Sequence, residues 1–294
     1  MIVTTNPNPL QVLQDSPQDT KKVTEQSVDT DLQSYGAEVV QFHTRLLRVS
    51  LVTEESYSYW QHYRSDISNN LLLGEITKRA FEERWFGSRS MARTQLLIKE
   101  FAQRYNAYPA AISVLHRWQP RDPVLRRNLC HWHLQLVDPL YRSFTDTYLL
   151  HRRTLPQPTI DRDTVARWAS QQTGIEGWAP ATLSRMATGL IAATASAGLC
   201  STNIGKRTLE YPQVSDRALE YWLYFLRHLN FVGTLLDNPY WRSVGLTDSF
   251  LETRLHRLPS ILFRRMGELS DFGWKYKNLE GWANGELSDD GDAV

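Results

Sequence analysis

Residues 178–211, WAPATLSRMATGLIAATASAGLCSTNIGKRTLEY, carry the most informative pattern in the chain. We predict a long helix over residues 180–197, because proline favours the first helical turn and the glycine that follows favours a helix end. Short extended runs at 199–201 and 207–211 flank a polar turn and predict a β-hairpin. A capped helix ending near residue 172 precedes them. Helix, turn, helix and hairpin is the order of a winged helix-turn-helix.

The predicted helix over 180–197 has an apolar face and an opposite face of small and polar side chains. This second face comprises Thr182, Ser184, Arg185, Thr188, Ala192, Ala195 and Ser196. Short side chains let a helix approach a DNA groove closely, and polar groups near its N-terminal end can reach bases or phosphates. The predicted DNA contacts are therefore Thr182, Ser184 and Arg185 on the helix, with Lys206 and Arg207 at the hairpin turn. The same face, together with Gly189, equally suits packing against another helix.

The region before this winged element carries repeated helix signals. Residues that cap or begin a helix are Thr53, Asn70, Ser88 or Ser90, Pro109, Asp122 and Asp138. They predict a bundle of five or six helices over residues 38–155. Two prolines at 155–158 predict the boundary to a winged-helix-like region over 156–278. Residues 1–37 are polar and rich in Pro, Gln and Ser, which predicts disorder, and 279–294 are predicted to be a loose acidic tail.

Two features after the first hairpin complete the predicted fold. Residues 216–230 form a helix that is apolar nearly all round, which predicts burial at the centre of the fold. Extended runs at 261–265 and 272–276 predict a second hairpin. We therefore predict a mainly α fold, with an N-terminal helical bundle followed by winged helix-turn-helix-like elements with short β-hairpins.

The charge of the chain is unevenly distributed along the sequence. Residues 1–40 carry a net charge of −4, residues 279–294 carry −5, and the remaining 41–278 carry +10. Of the 33 basic residues, 26 are Arg, a side chain that binds phosphates in a bidentate manner. On the helix predicted over 88–106, Arg89, Arg93 and Arg104 lie opposite the apolar face, so we predict that they contact phosphates. The alternative is an ordinary solvated helix face with surface ion pairs.

Several other classes of protein are disfavoured by the sequence. Two cysteines in 294 residues do not support a disulfide-stapled secreted fold. The sequence has no signal-peptide pattern and no apolar run of the roughly 20 residues that a membrane span needs. It also lacks the phosphate-binding glycine motifs and the serine nucleophile motif. Cys130, His131 and His133 are too closely spaced on a helix to share a metal site. We therefore predict a cytoplasmic protein without catalysis, cofactor or membrane partner.

Two stretches resemble the BrxA family, small proteins of the BREX phage-defence systems. Residues 90–105, SMARTQLLIKEFAQRY, resemble a helix of that family with the pattern S-T-A-K-R-L-x-R-E-I-x-x-R. Residues 178–199 are similar to the family pattern W-x-x-x-T-x-x-R-x-x-x-G-L-L-x-x-L-x-x-x-G-L. The positions that match this second pattern are Trp178, Thr182, Arg185, Gly189 and Leu190. Residues 238–258 and the hairpin that follows also resemble the C-terminal part of the family.

The resemblance implies a fold and a function. It implies an N-terminal part like the RNA-binding antitermination factor NusB, winged elements, and non-catalytic binding of double-stranded DNA within a defence complex. Together with the charge pattern, it leads us to predict a DNA-binding component of a BREX-type system whose partners include other BREX proteins. Two alternatives remain open. In the first alternative the chain is an RNA-binding helical protein, and in the second it is a protein-interaction scaffold. The scaffold would use an aromatic-rich surface formed by Trp168, Trp178, Trp222, Trp241, Trp274 and Trp282.

Overall fold

The computed structural model describes residues 34–64 and 70–287, and these residues belong to one compact unit. The helices before residue 155 are α1 (Thr53–Gln61), α2 (Asn70–Glu82), α3 (Met91–Phe101), α4 (Pro109–Trp118), α5 (Pro123–Val137), α6 (Pro139–Ser143) and α7 (Leu149–Arg153). A 3₁₀ turn lies at Arg45–Leu47, and π-helical segments at Ala102–Asn106 and Phe144–Tyr148 extend α3 and connect α6 to α7.

The rest of the described chain adds helices and four short strands. These elements are β1 (Thr159–Ile160), α8 (Arg162–Ala169), α9 (Pro180–Ser196), β2 (Arg207–Thr208), α10 (Asp216–Leu226), α11 (Pro239–Ser243), α12 (Asp248–Leu255), β3 (Ile261–Met266), β4 (Leu269–Trp274) and α13 (Leu279–Glu286). The strands form two small antiparallel sheets, β1–β2 and β3–β4. The predicted mainly α fold with short hairpins is confirmed. None of the helices in the described part of the chain combines the length and hydrophobicity needed to span a bilayer.

Local capping explains where several of the helices begin. The Ser90 hydroxyl accepts a hydrogen bond from the backbone of Arg93 at 3.3 Å, and the Asp122 carboxylate accepts one from Val124 at 2.9 Å. The Asp138 carboxylate accepts one from the Tyr141 amide at 2.9 Å. Each side chain satisfies a backbone N–H that has no partner within the first helical turn.

The core is centred on α5 and α10, and α10 is buried from Ala218 to Leu226. The ring of Trp132 on α5 stacks on that of Trp222 on α10, with centroids 5.6 Å apart. The Trp132 indole also donates a hydrogen bond to the carbonyl of Tyr240 at 3.1 Å. Helices on both sides of residues 155–156 therefore contribute to the same core.

The described residues nearest the N-terminus form an ordered segment. Ala37 pairs with Asn230 in a parallel bridge, and the ring of Tyr35 stacks on that of Phe225. Glu38 is buried and accepts a hydrogen bond from the Tyr240 hydroxyl at 2.7 Å. We call residues 34–39 the strap. The prediction of disorder over 1–37 is therefore wrong for residues 34–37, because Tyr35 supplies the apolar surface that the polar composition concealed. Residues 1–33 lie outside the described residues.

The acidic end of the chain also contains an ordered helix. Helix α13 begins after Asn278, whose side chain accepts a hydrogen bond from the Gly281 amide at 2.8 Å. It packs against α4 and α10, and Leu279 and Trp282 are completely buried. The prediction of a loose tail is therefore wrong for residues 279–287. Apolar residues three and four positions apart give this segment a buried face despite its acidic composition. Residues 288–294 lie outside the described residues.

Candidate nucleic-acid interface

Helix α9 presents one continuous exposed stripe of small and polar side chains. The exposed residues are Ala181, Arg185, Thr188, Ala192 and Ser196. Their spacing of three and four residues places them on one face of the helix. The opposite face is buried and includes Met186 and Leu190, so the predicted division of the helix into two faces is confirmed. Within the described residues, the Arg185 side chain has no hydrogen-bond or ion-pair partner.

The flanks of this stripe are partly covered. Thr182 and Ser184 are both half-buried. On another side of the helix, Gly189 lies against the 3₁₀ turn. A Cβ atom at Gly189 would stand 3.7 Å from the Leu46 side chain. The side of α9 at Gly189 therefore packs against another part of the protein, as the alternative interpretation of this helix predicts. The stripe around Arg185 is open to solvent.

The extended segments on either side of residues 202–206 pair as a hairpin, which we call the wing. The amide of Ser201 donates to the carbonyl of Thr208 at 2.8 Å, and the amide of Glu210 donates to the carbonyl of Leu199 at 2.9 Å. Strand β1 adds a third extended segment to this hairpin, with Thr159 opposite Thr208. The resulting order is β1, α8, α9 and then two paired segments joined by a loop. This loop, residues 202–206, is exposed throughout, and we call it the wing loop.

The two basic residues predicted at the hairpin turn differ in position. Lys206 is exposed at the end of the wing loop, whereas Arg207 is half-buried and lies in strand β2 opposite Ile160. An Nη1 atom of Arg207 donates to the carbonyl of Ser201 at 3.4 Å. Arg207 is therefore part of the stem of the wing, and Lys206 is the cation at its end.

Two of the predicted phosphate contacts on α3 and the turn before it are only partly available. The Arg89 side chain is 54% exposed and forms an ion pair with Glu55 at 3.0 Å. Arg93 is half-buried, and its Nη1 donates to the carbonyl of Arg48 at 2.7 Å. To bind a phosphate, Arg89 would have to exchange the carboxylate of Glu55 for the phosphate. Arg93 would have to break its hydrogen bond to the carbonyl of Arg48.

The prediction that Arg104 shares an exposed face with Arg89 and Arg93 is wrong. Arg104 is 3% exposed, and its guanidinium donates to the carbonyls of Ser50 at 2.9 Å and Leu51 at 3.2 Å. Arg104 follows the buried Leu97 by seven residues and the buried Phe101 by three, so it lies on the same helix face as they do. The prediction placed Arg104 on the opposite face because it counted Met91, which is exposed, in the apolar face. Arg104 thus anchors the loop before α1 and is not available to a phosphate.

Other arginines of the bundle also serve the interior of the protein. Arg142 is buried and donates to the carbonyl of Gln135 at 2.6 Å. Arg126 pairs with Glu54 at 3.1 Å, and the guanidinium of Arg153 lies 4.0 Å from the ring centre of Tyr211. The basic charge of this region is therefore partly neutralised or buried, and its sequence composition overstates the basic surface.

The histidines near Cys130 are structural core residues. The ring of His131 is hydrogen-bonded to the hydroxyls of Tyr141 at 2.9 Å and Ser243 at 3.0 Å. His133 is hydrogen-bonded to the hydroxyl of Tyr221 at 2.8 Å. Burial lowers the pKa of each imidazole to about 3. Among the described residues, no group of three or more His, Cys, Asp or Glu side chains is arranged to hold a metal ion.

The aromatic residues expected on the surface of a scaffold are mostly internal. Trp222, Trp241 and Trp282 are completely buried. Trp168, Trp178 and Trp274 are partly buried and pack against the core. These six residues therefore do not form the exposed aromatic surface that this alternative requires.

One feature of the candidate interface is not among the residues predicted from the sequence. Ile204, in the middle of the wing loop, is 100% exposed. The signal was present in the sequence, since an isoleucine between Asn203 and Gly205 interrupts an otherwise polar turn. The pairing of β1 with β2 was also missed, because it joins segments about 50 residues apart.

Comparisons with known proteins give one distant structural similarity. The sequence matches no protein-family model and no curated protein. The fold is similar to the crystal structure of an uncharacterized protein from Magnetospirillum magneticum, with 15% sequence identity and a TM-score of 0.47. The similarity covers 64% of this chain and 98% of the other.

Proposed function

We propose that this chain binds double-stranded DNA without catalysing a reaction, as a component of a bacterial BREX-type defence system. The observation that carries the DNA-binding part is the exposed stripe of α9 beside a projecting wing. A recognition helix needs a narrow exposed face for the major groove, and a wing needs a cation that can reach the adjacent backbone. The resemblance of residues 90–105 and 178–199 to the BrxA family supports the defence part, with other BREX proteins as partners.

The exposed residues suggest how a duplex is bound. Arg185 lies in the second turn of α9, near the end that a recognition helix directs toward base edges. Thr182 and Ser184 flank it, and Thr188 continues the stripe. The other exposed residues of the stripe are alanines and a serine, whose side chains cannot make paired hydrogen bonds to a base edge. We therefore propose modest sequence selectivity, with much of the affinity coming from phosphates.

The contribution of the helical bundle is smaller than its composition suggests. Arg89 and Arg93 remain proposed phosphate contacts, because both side chains are near the surface and one arginine can exchange a carboxylate for a phosphate. Their present partners, Glu55 and the carbonyl of Arg48, compete with DNA. We therefore assign the principal contacts to Arg185 and Lys206 and a secondary role to this pair.

Fluorescence anisotropy with duplex DNA, single-stranded DNA and RNA at several salt concentrations tests the proposal. We expect the wild-type protein to bind duplex DNA most tightly. Arg185→Ala should cost about 1–3 kcal/mol of binding if the side chain reads a base edge. Lys206→Ala should weaken binding to all sequences and make the log–log salt slope shallower by about 0.9.

Arg117→Ala provides the matched control. Arg117 is also exposed, but it lies on α4 and pairs with Glu280 on α13 at 3.5 Å. This variant should bind DNA as the wild type does, and all three variants should melt at the wild-type temperature, because exposed charges contribute little stability. Wild-type affinity in both Arg185→Ala and Lys206→Ala would show that the winged element does not bind DNA. Tighter binding of RNA than of duplex DNA would favour the RNA-binding alternative.

A further inference from the structure

The wing loop carries an apolar side chain on a rigid support. Ile204 is 100% exposed at the end of a hairpin whose stem is closed by hydrogen bonds. The amide of Thr208 donates to the Ser201 hydroxyl at 3.1 Å, in addition to the bond from the Ser201 amide to the Thr208 carbonyl. Gly205 has a φ of +86°, a conformation that favours glycine and turns the chain immediately after Ile204. The loop therefore holds the isoleucine away from the body of the protein.

The neighbours of Ile204 have the chemistry of a minor-groove contact. Asn203 and Lys206 are both exposed in the same loop. Proteins that bind the minor groove combine Arg, Lys, Asn or Gln side chains with an apolar residue that inserts between base pairs. Single exposed apolar residues are common on protein surfaces. This one differs because it stands between these polar residues at the end of a wing, beside the exposed stripe of α9.

We propose that Ile204 is a wedge that enters the minor groove and partly unstacks one base step, so that the bound duplex is kinked. The inference rests on the proposed DNA binding. It adds that the wing loop enters the minor groove and that the protein recognises the deformability of the DNA. In this arrangement α9 occupies the major groove, Lys206 contacts the backbone, and Asn203 faces the groove floor. Insertion is easiest at steps that are flexible or already unstacked. The wedge therefore favours deformable DNA over any particular base sequence.

The experiment compares a fully paired duplex with the same duplex carrying one central mismatch. The wild-type protein should bind the mismatched duplex about tenfold more tightly, because the cost of unstacking is reduced there. It should also bring dyes at the two duplex ends closer together, as energy transfer measures. Ile204→Ala should lose the preference and the bend but keep the wild-type salt slope, since no phosphate contact is removed.

Two further variants make the result specific to an apolar wedge. Ile204→Met keeps an apolar side chain and should retain both the preference and the bend. Val232→Ala removes a 68% exposed apolar side chain outside the winged element and should behave as the wild type does. Circular dichroism of each variant should stay native, because Ile204 has no packing to lose.

The possible outcomes separate the wedge from DNA binding itself. If the wild-type protein binds both duplexes equally and leaves them straight, the wedge is wrong and the DNA-binding proposal stands. The same holds if Ile204→Ala keeps the preference and the bend. If the wild-type protein binds no duplex, both proposals fail. If Ile204→Ala instead loses a protein partner at unchanged DNA binding, the wing loop is a protein-docking element and the wedge is wrong.

Discussion

His131 and His133 determine part of the pH dependence of stability. Both are buried and hydrogen-bonded to hydroxyl groups, and burial lowers the pKa of each to about 3. In the unfolded chain their pKa is near 6.5, so the unfolded state binds protons first as the pH falls. The stabilisation is complete above pH 6.5 and is lost progressively between pH 6.5 and pH 3. We expect the titration of each histidine to lower the free energy of unfolding by about 2 kcal/mol between pH 7.5 and pH 5.0.

Urea unfolding of His131→Gln at pH 7.5 and pH 5.0 measures this effect. The glutamine does not titrate, so its free energy of unfolding should fall less between the two pH values than that of the wild type. His151→Gln is the matched control, because it makes the same substitution at an exposed position. An equal fall in His131→Gln and the wild type would show that this imidazole does not carry the effect.

At the scale of elements, α13 is expected to contribute strongly to stability. Its Trp282 is completely buried, and its ring lies 5.5 Å from that of Trp118, edge to face. We expect Trp282→Ala to lower the free energy of unfolding by about 3–5 kcal/mol, as removal of a large core side chain does. Chemical denaturation measures the change. Removal of residues 288–294 is the control and should leave stability near the wild-type value. A change below 1 kcal/mol for Trp282→Ala would contradict the packing of this helix.

The elements that could be predicted are those that local chemistry specifies. Caps such as Asp122 and a prolyl start such as Pro180 act within one helical turn, so α5 and α9 begin where the sequence predicts. The exposed face of α9 followed from its spacing alone. The burial of Arg104 could not be predicted, because its guanidinium binds backbone carbonyls more than 50 residues away along the chain. Helix α13 was missed because acidic composition outweighed the spacing of Leu279 and Trp282.

At the scale of the whole molecule, the net charge of the ends is expected to modulate DNA binding. Residues 1–33 carry five acidic and two basic side chains, a net charge of −3. Their removal should tighten DNA binding, and the gain should shrink as salt screens the charge. Removal of residues 1–40 also deletes the strap and the buried Glu38, so this variant should melt at a lower temperature. Anisotropy and thermal melting of both truncations test the two effects. Unchanged affinity after removal of residues 1–33 would show that this charge does not act on DNA.

The strap also constrains when the protein can fold. Tyr35 accepts a hydrogen bond from the Leu279 amide, 244 residues later, and Glu38 accepts one from the Val232 amide, 194 residues later. During synthesis on the ribosome, the strap must therefore wait for the segments that contain Val232 and Leu279. Until then the partners of Tyr35 and the pocket for Glu38 do not exist, and loop closure over such distances is slow. Between the synthesis of the strap and the synthesis of its partners, the core of the nascent chain is consequently incomplete. During that interval the chain depends on whatever shields exposed apolar surface in the cell.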